Sequence, residues 1–444
     1  MLRNFGYFPW AFDKICRMKN VMFVKITLLV AFVFFTTKSY SQNITNFAGG
    51  GTTLGDGGPA TAAQVPTPYD GVFDATGNFY FGEAMSSPRV RMIDTFGIIH
   101  TVAGTGTSGY SGDLGPATAA ELSSSFAVTV DGVGNIYIAD WLNYRIRKVD
   151  KATGIIHTIA GTGVGTVTGD GGPATAATLM PDGICIDNTG NLFVTDSQGV
   201  WVRKINAAGI ISTVAGNGIA GYSGDSGLAT AAAILAVANI CVDTAGNLIL
   251  GCKTRIRKVN MSTGIITTIA GTADGSYNED GVHADSANFT EYGICLDAIG
   301  DIYIADLNDR IRKIDTAGII HTVAGDGIAG YSGDGGPATA AEIHFPEGVA
   351  IDACGNLYIA DEANSRIRKV TFDSTCDPYN YEPLNVKAVA QNAAISMYPN
   401  PVSTMLNITS TNGINQVIVS NIVGQTTPCP LLKTAMPYPN FFVS

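Results

Sequence analysis

The stretch GYSGDGGPATAA at residues 330–341 recurs along the chain and sets its period. Its acidic residue falls at Asp56, Asp113, Asp170, Asp225, Asp280 and Asp334, so successive copies lie 57, 57, 55, 55 and 54 residues apart. A period of this size means that each copy is one small unit that buries its apolar face only against its neighbours. The chain is therefore a repeat protein.

Each repeat carries four strand-like runs. The last copy shows three of them, GVAID at 348–352, NLYIA at 356–360 and RIRKV at 366–370; the fourth is IIHTVAG, as at 319–325. Between the first two runs stands DACGN, matched by DNTGN, DTAGN and DAIGD elsewhere, a tight glycine-bearing turn that suits a hairpin. Charged residues are only 14%, glycine numbers 53, and no long helical periodicity competes with this pattern. Four short antiparallel strands per repeat describe one blade of a β-propeller.

The strand count also predicts how the ring closes. Five copies follow their RIRKV-like strand with a IIxTxAG strand, but after residues 366–370 the chain runs into FDSTCDPYNYEP. Residues 44–49 stand unpartnered before the first full copy and read as the missing strand. The expected fold is all-β: a six-bladed propeller of four-stranded blades, with the amino-terminal strand completing the last blade so that no joint edge is exposed.

The runs GNLYIADEANSRIRKV and GNIYIADWLNYRIRKV resemble NHL repeats, and the array over residues 42–372 resembles an NHL-type six-bladed propeller. Repeat four departs from the pattern with Gly251-Cys252-Lys253 where others read Ala-Asp, and repeat three has Trp201 for the first arginine. A Pro- and Asn-rich linker follows at 373–394. Beyond it, ISMYPNPVSTMLNITS and INQVIVSNIVGQ resemble the opening half of the β-sandwich sorting domain that Bacteroidetes proteins use for type IX secretion. That likeness ends at Gln425, because 426–444 is Pro-rich and shows no closing strands, so 395–444 reads as an incomplete sorting domain. The resemblance implies export to the cell surface.

The amino end agrees with export. Lys19 and Lys25 precede the apolar run 26–37, and Ser39-Tyr40-Ser41 supplies a cleavage signal, so residues 1–41 read as a leader with a secretory signal peptide, favouring Met18 as its start. The run is too short to span a bilayer, which needs about 20 apolar residues. Membrane contact is then expected only through export or surface anchoring. Without 1–41 the chain keeps 20 basic and 36 acidic side chains, a net charge of −16, which disfavours nucleic acid. Cations, sugars and basic proteins fit it better.

Several recurrent residues read as scaffold. Cys185, Cys241 and Cys295 share one strand position and suit burial as small apolar groups, whereas Cys354 and Cys376 flank the end of the last repeat and are candidates for a disulfide. Calcium at Asp113 or Asp334 would need six to eight oxygens where each loop offers one carboxylate. The connector aspartate is accordingly expected to cap the short PATAA helix, with Pro337 near its first turn. The alternating arginines Arg145 with Arg147, and Arg366 with Arg368, are expected to pair with Asp140, Asp306 or Asp361. His100, His157 and His321 fall in the outermost strand, and only His283 and His344 approach the connecting face.

The residues that differ between copies are the candidate site. Counting five back from each inner-strand aspartate, with a one-residue gap in repeat one, gives Asp70, Phe126, Asp182, Ala238, Tyr292 and Glu347, with Trp141 as a nearby stacking surface. Carboxylates mixed with aromatics suit a sugar or a cationic group. The leading expectation is an exported, non-enzymatic, monomeric propeller that recognises a protein or glycan through its blade-connecting face. No cofactor is called for beyond the calcium considered above. Two alternatives stand beside it: a metal-dependent hydrolase or lyase using Asp70, Asp182 and Glu347 around one cation, and a structural surface or adhesion component. Similar propellers that act as lactonases or lyases use metal ligands around the mouth, a set this chain does not evidently carry.

Overall fold

The computed structural model describes residues 42–372 except 86, 197–199 and the side chain of 126, together with five short strands beyond. The leader read at 1–41 and the linker read at 373–394 lie outside the described residues. Residues 42–372 form six four-stranded antiparallel sheets, a six-bladed propeller. Five blades are continuous in sequence. In the sixth the order is Pro346–Ile351, Leu357–Asp361, Arg366–Thr371 and then the amino-terminal strand Asn43–Gly49. Asn43 pairs with Thr371 and Gly49 with Arg366, antiparallel, with one irregularity between Asn46 and Ala48. Ring closure by the amino-terminal strand follows the expectation from the strand count.

Second strands such as Leu357–Asp361 and Ile136–Asp140 are buried along their whole length, because both faces of each blade pack against neighbouring blades. This is why NLYIA-like runs are nearly continuous in apolar residues. Fourth strands such as Ile156–Ala160 are buried only at their ends, which fits an outer rim. One cluster shows how blades join: Tyr303 and Ile311 from blade five pack with Val349 and Ile359 from blade six, and Ile44 of the closing strand shares the same core. Inner strands approach so closely at the axis that a Cβ on Gly348 would lie 2.8 Å from the Asp70 Cα, and one on Gly293 would lie 2.5 Å from the Glu347 carbonyl oxygen.

The connector aspartate does something other than what its sequence context suggests. The short 3-10 turn Ala117–Ala119 has Pro116 at its N-cap and no side-chain cap. Asp113 instead accepts from Nη2 and Nε of Arg147 at 2.7 and 3.1 Å and from the Tyr110 hydroxyl at 2.9 Å. Arg147 is fully buried and also reaches Asp140 at 3.3 Å and the Ser111 carbonyl at 3.0 Å. The corrected reading is an ion pair between the third strand and the connector that leads into its own blade. It recurs in all six blades, from Arg91 with Asp56 at 3.0 Å to Arg368 with Asp334 at 2.7 Å. The pairs expected with Asp140, Asp306 and Asp361 are present but longer, at 3.3, 3.8 and 3.4 Å. A guanidinium thus faces Asp113 and Asp334. The first arginine stacks: Arg145 lies 3.7 Å over Tyr110 and Arg366 4.0 Å over Tyr331.

Cys185, Cys241 and Cys295 are free thiols on the inner strands, half-buried. Cys354 is disulfide-bonded; Cys376 lies outside the described residues. His100 and His321 sit on outer strands and face Asp94 and Asp315. Farther on, Ile395–Tyr398, Leu406–Ser410 and Asn440–Val443 form one sheet, and Val417–Ser420 pairs with Thr426–Cys429. Two of these strands fall within 426–444, where closing strands were not expected.

Candidate functional site

Each inner strand starts with an irregularity in its pairing to the second strand, as between Pro346 and Gly348 or between Pro68 and Gly71. A bulge of this kind re-aims the residue next to it. The first residues Pro68, Ser125, Pro181, Val237, Glu291 and Pro346 all pair with the last residue of the second strand. The positions that follow them, Tyr69, Phe126, Asp182, Ala238, Tyr292 and Glu347, form one tier. Tyr69 takes the place expected for Asp70. The bulge in blade one matches that in the other blades, so no sequence gap is needed.

Asp70 belongs one step deeper, level with Asn239 of the opposite blade. Its other neighbours at that level, Ala127, Gly183, Gly293 and Gly348, are small, which leaves room for the Asn239 side chain to hydrogen-bond Asp70. The Gly71 N–H also donates to Asp70 Oδ1 at 3.0 Å. The pair forms a polar floor.

Above it lies a cavity of about 200 Å³ lined by Tyr69, Trp141, Asp182, Tyr292, Glu347 and Asp70. Of the residues expected at the site, the structure thus brings together Asp70, Trp141, Asp182, Tyr292 and Glu347, with Ala238 beside them. Phe126 occupies the equivalent strand position, but its side chain lies outside the described residues. Asp182, Ala238 and Tyr292 also line a second cavity of about 270 Å³, which adds Glu291 and Lys253. Tyr69, Asn239 and Glu291 were missed. The available signal for Glu291 was its position, where the other blades carry proline, serine or valine.

Glu291 also accounts for one of blade four's departures from the repeat, Gly251. A Cβ on Gly251 would stand 2.2 Å from its Oε1, and Gly251 occupies the place of Ala139, Thr195, Ala305 and Ala360, with Gly82 the equivalent residue of blade one. Glycine clears the space for this carboxylate. Glu291 is 2% exposed, and neither of its carboxylate oxygens has a hydrogen-bond partner.

The electrostatics are one-sided. Burial raises Asp70 and Asp182 to about 7. It raises Glu291 to about 8, with the charges of Asp182 and Asp70 acting in the same direction; the Lys253 amide opposes this without reaching bonding geometry with either oxygen. Glu347 rises to about 9 through burial and then through the charges of Glu362 and Asp182. Among the described residues no basic side chain lines the first cavity. Among the described residues no three His, Cys, Asp or Glu side chains are grouped as ligands of one metal ion.

These shifts have a consequence for stability. Each group holds its proton more tightly when folded than at its unfolded value near 4, so between about 4 and the raised value the native state binds more protons. Stability from these groups is present at low pH and is lost as pH rises through about 7 to 9. The melting temperature is expected to fall by about 5 °C or more between pH 5.5 and pH 9. A flat or rising profile in differential scanning calorimetry would refute the assignment.

Comparison with known proteins fits the fold. A family model described as the teneurin NHL domain matches residues 165–221. Teneurin-4 of Mus musculus is 29% identical over 278 residues, covering 53% of this chain and 10% of teneurin-4. The chain therefore spans about a tenth of that relative's length. Among solved structures, a Bacteroides thetaiotaomicron protein of unknown function superposes with a TM-score of 0.54 at 19% identity, covering 74% of this chain and 76% of the other. An auxiliary nutrient binding protein of the same organism gives 0.53 at 18% identity, with coverage of 74% and 76%. At these identities the structural likeness speaks for the propeller alone.

Proposed function

We propose that the chain is an exported, non-enzymatic binding propeller that recognises a protein or glycan ligand at the mouth of its blade-connecting face. The observation that carries this reading is the contrast between scaffold and mouth. The connector aspartate and the buried arginine are the same in every blade, whereas the mouth tier changes from tyrosine to aspartate to alanine to glutamate and lines one cavity. A closed scaffold with one variable concave surface is how rigid folds hold a binding site. A propeller of similar fold is named an auxiliary nutrient binding protein, which fits a binding role. The signal-peptide and sorting-domain resemblances support a secreted or surface location.

A glycan array and pull-downs with the full chain test the reading. A specific ligand is expected, and Trp141→Ala is expected to weaken it at least tenfold, because the indole lines the cavity and stacking of this kind contributes about 1–3 kcal/mol. The melting temperature should stay within about 2 °C. Turnover of an ester or lactone that is lost on chelation would overturn it in favour of a metal-dependent enzyme, and blank arrays and pull-downs would favour a structural component.

A further inference from the structure

We infer that the group taken at the mouth is an organic ammonium, carried on a sugar or a peptide; this rests on the binding role proposed above. Buried charge without a counter-charge is costly, and the mouth concentrates it. Glu291 is 2% exposed and Glu347 is 4% exposed, and Glu291 Oε1 and Oε2 and Glu347 Oε2 have no hydrogen-bond partner. Glu347 lines the first cavity and Glu291 the second, and the two cavities share Asp182 and Tyr292 in their walls. Lys253, the one basic residue lining either cavity among the described residues, is exposed.

Protons on the carboxyls remove the charge but cannot serve both oxygens of Glu291. An ammonium group brings a positive charge and up to three donors. A bare metal ion suits the mouth less well, because it needs several oxygens converging at about 2.4 Å and the described carboxylates are not grouped in that way. Ammonium tolerates wider spacing. The walls also suit a carbon-bound cation: the aromatic residues Trp141, Tyr69 and Tyr292 line the cavity, a composition that favours cations, and Met85, 55% exposed, offers apolar surface to the body that carries the charge.

Calorimetric titration of the full chain tests this with two pairs of probes: a β-1,4-linked glucosamine tetramer against its N-acetylated form, and the peptide acetyl-Ala-Lys-Ala-amide against its acetyl-lysine counterpart. At least one ammonium probe is expected to bind, with acetylation weakening it tenfold or more; the pair that does so identifies the source. Glu291→Gln and Glu347→Gln are expected to weaken it by a similar factor while the melting temperature stays equal or rises, since each removes a buried group that can ionise and keeps the shape. Purely structural carboxylates would instead lower the melting temperature and leave the acetylation preference intact, which overturns the inference. Equal binding of the N-acetylated probes also overturns it while leaving the binding role standing. Failure of both ammonium probes at millimolar concentration overturns it as well, and the glycan array then decides the broader reading separately.

Discussion

Deletion of residues 42–49 is expected to abolish the cooperative fold rather than trim it. The strand Asn43–Gly49 is the fourth strand of blade six, and Ile44 and Ala48 are fully buried. Phe47 lies 4.8 Å from the Tyr358 ring and 6.1 Å from that of Phe79, so it joins blade six to blade one. The Ile44 N–H also donates to the Gly336 carbonyl at 3.1 Å, and the Gly335 N–H donates to the Ile44 carbonyl at 2.8 Å. Losing a buried isoleucine and an interblade phenylalanine costs about 5 kcal/mol or more, comparable with the net stability of many domains. The deletion further exposes Arg366–Thr371 as an unpaired edge. Soluble yield and the calorimetric transition should both be lost. Residues 42–49 fused after Thr371 through a four-residue Gly/Ser linker should restore them, because Thr371 pairs with Asn43. A truncated chain melting within about 2 °C of the parent would show that the strand is dispensable.

Arg147→Ala is expected to have the largest effect of any single substitution considered. The guanidinium holds Asp113 at 2.7 Å, Asp140 at 3.3 Å and the Ser111 carbonyl at 3.0 Å. Asp140 is fully buried, and burial already raises it to about 6. Without the arginine its negative charge has no cationic partner, a loss of about 3–5 kcal/mol. For a cooperative unit of this size that corresponds to a fall of roughly 4–7 °C in melting temperature. Pairing Arg147→Met with Asp140→Asn should recover part of the loss, because the uncompensated charge is then gone. A cost below about 1 kcal/mol for Arg147→Ala in denaturant titration would mean that the pair is incidental.

The ring was legible because period and strand count are properties of order along the chain, and order survives folding. Five complete third-and-fourth strand pairs and one orphan at each end leave few other closures. The partner of the connector aspartate was not legible in the same way. Asp113 stands four residues before Ala117, where a cap and an ion pair look alike, and its arginine lies 34 residues away on another strand. The mouth was legible in outline, since position along the inner strand fixes its height. The tier of Asp70 depended on a bulge that leaves no mark in composition. Glu291 depended on a glycine in the neighbouring blade, a relation visible only once Gly251 and the carboxylate are side by side.

The closing strand also sets a schedule for synthesis. Asn43–Gly49 emerges before every blade, yet its partner Arg366–Thr371 is made about 320 residues later, a delay on the order of half a minute at roughly 5–20 residues per second. During that interval Phe47 and Ala48 can pack only against blade one, through Phe79, Phe81 and Ile93, while Ile44 waits for Val349, Ile359 and Val370 of the last blade. The last contact to form is therefore between the oldest and the youngest parts of the propeller, so the ring can lock only after its whole length has been delivered to one compartment.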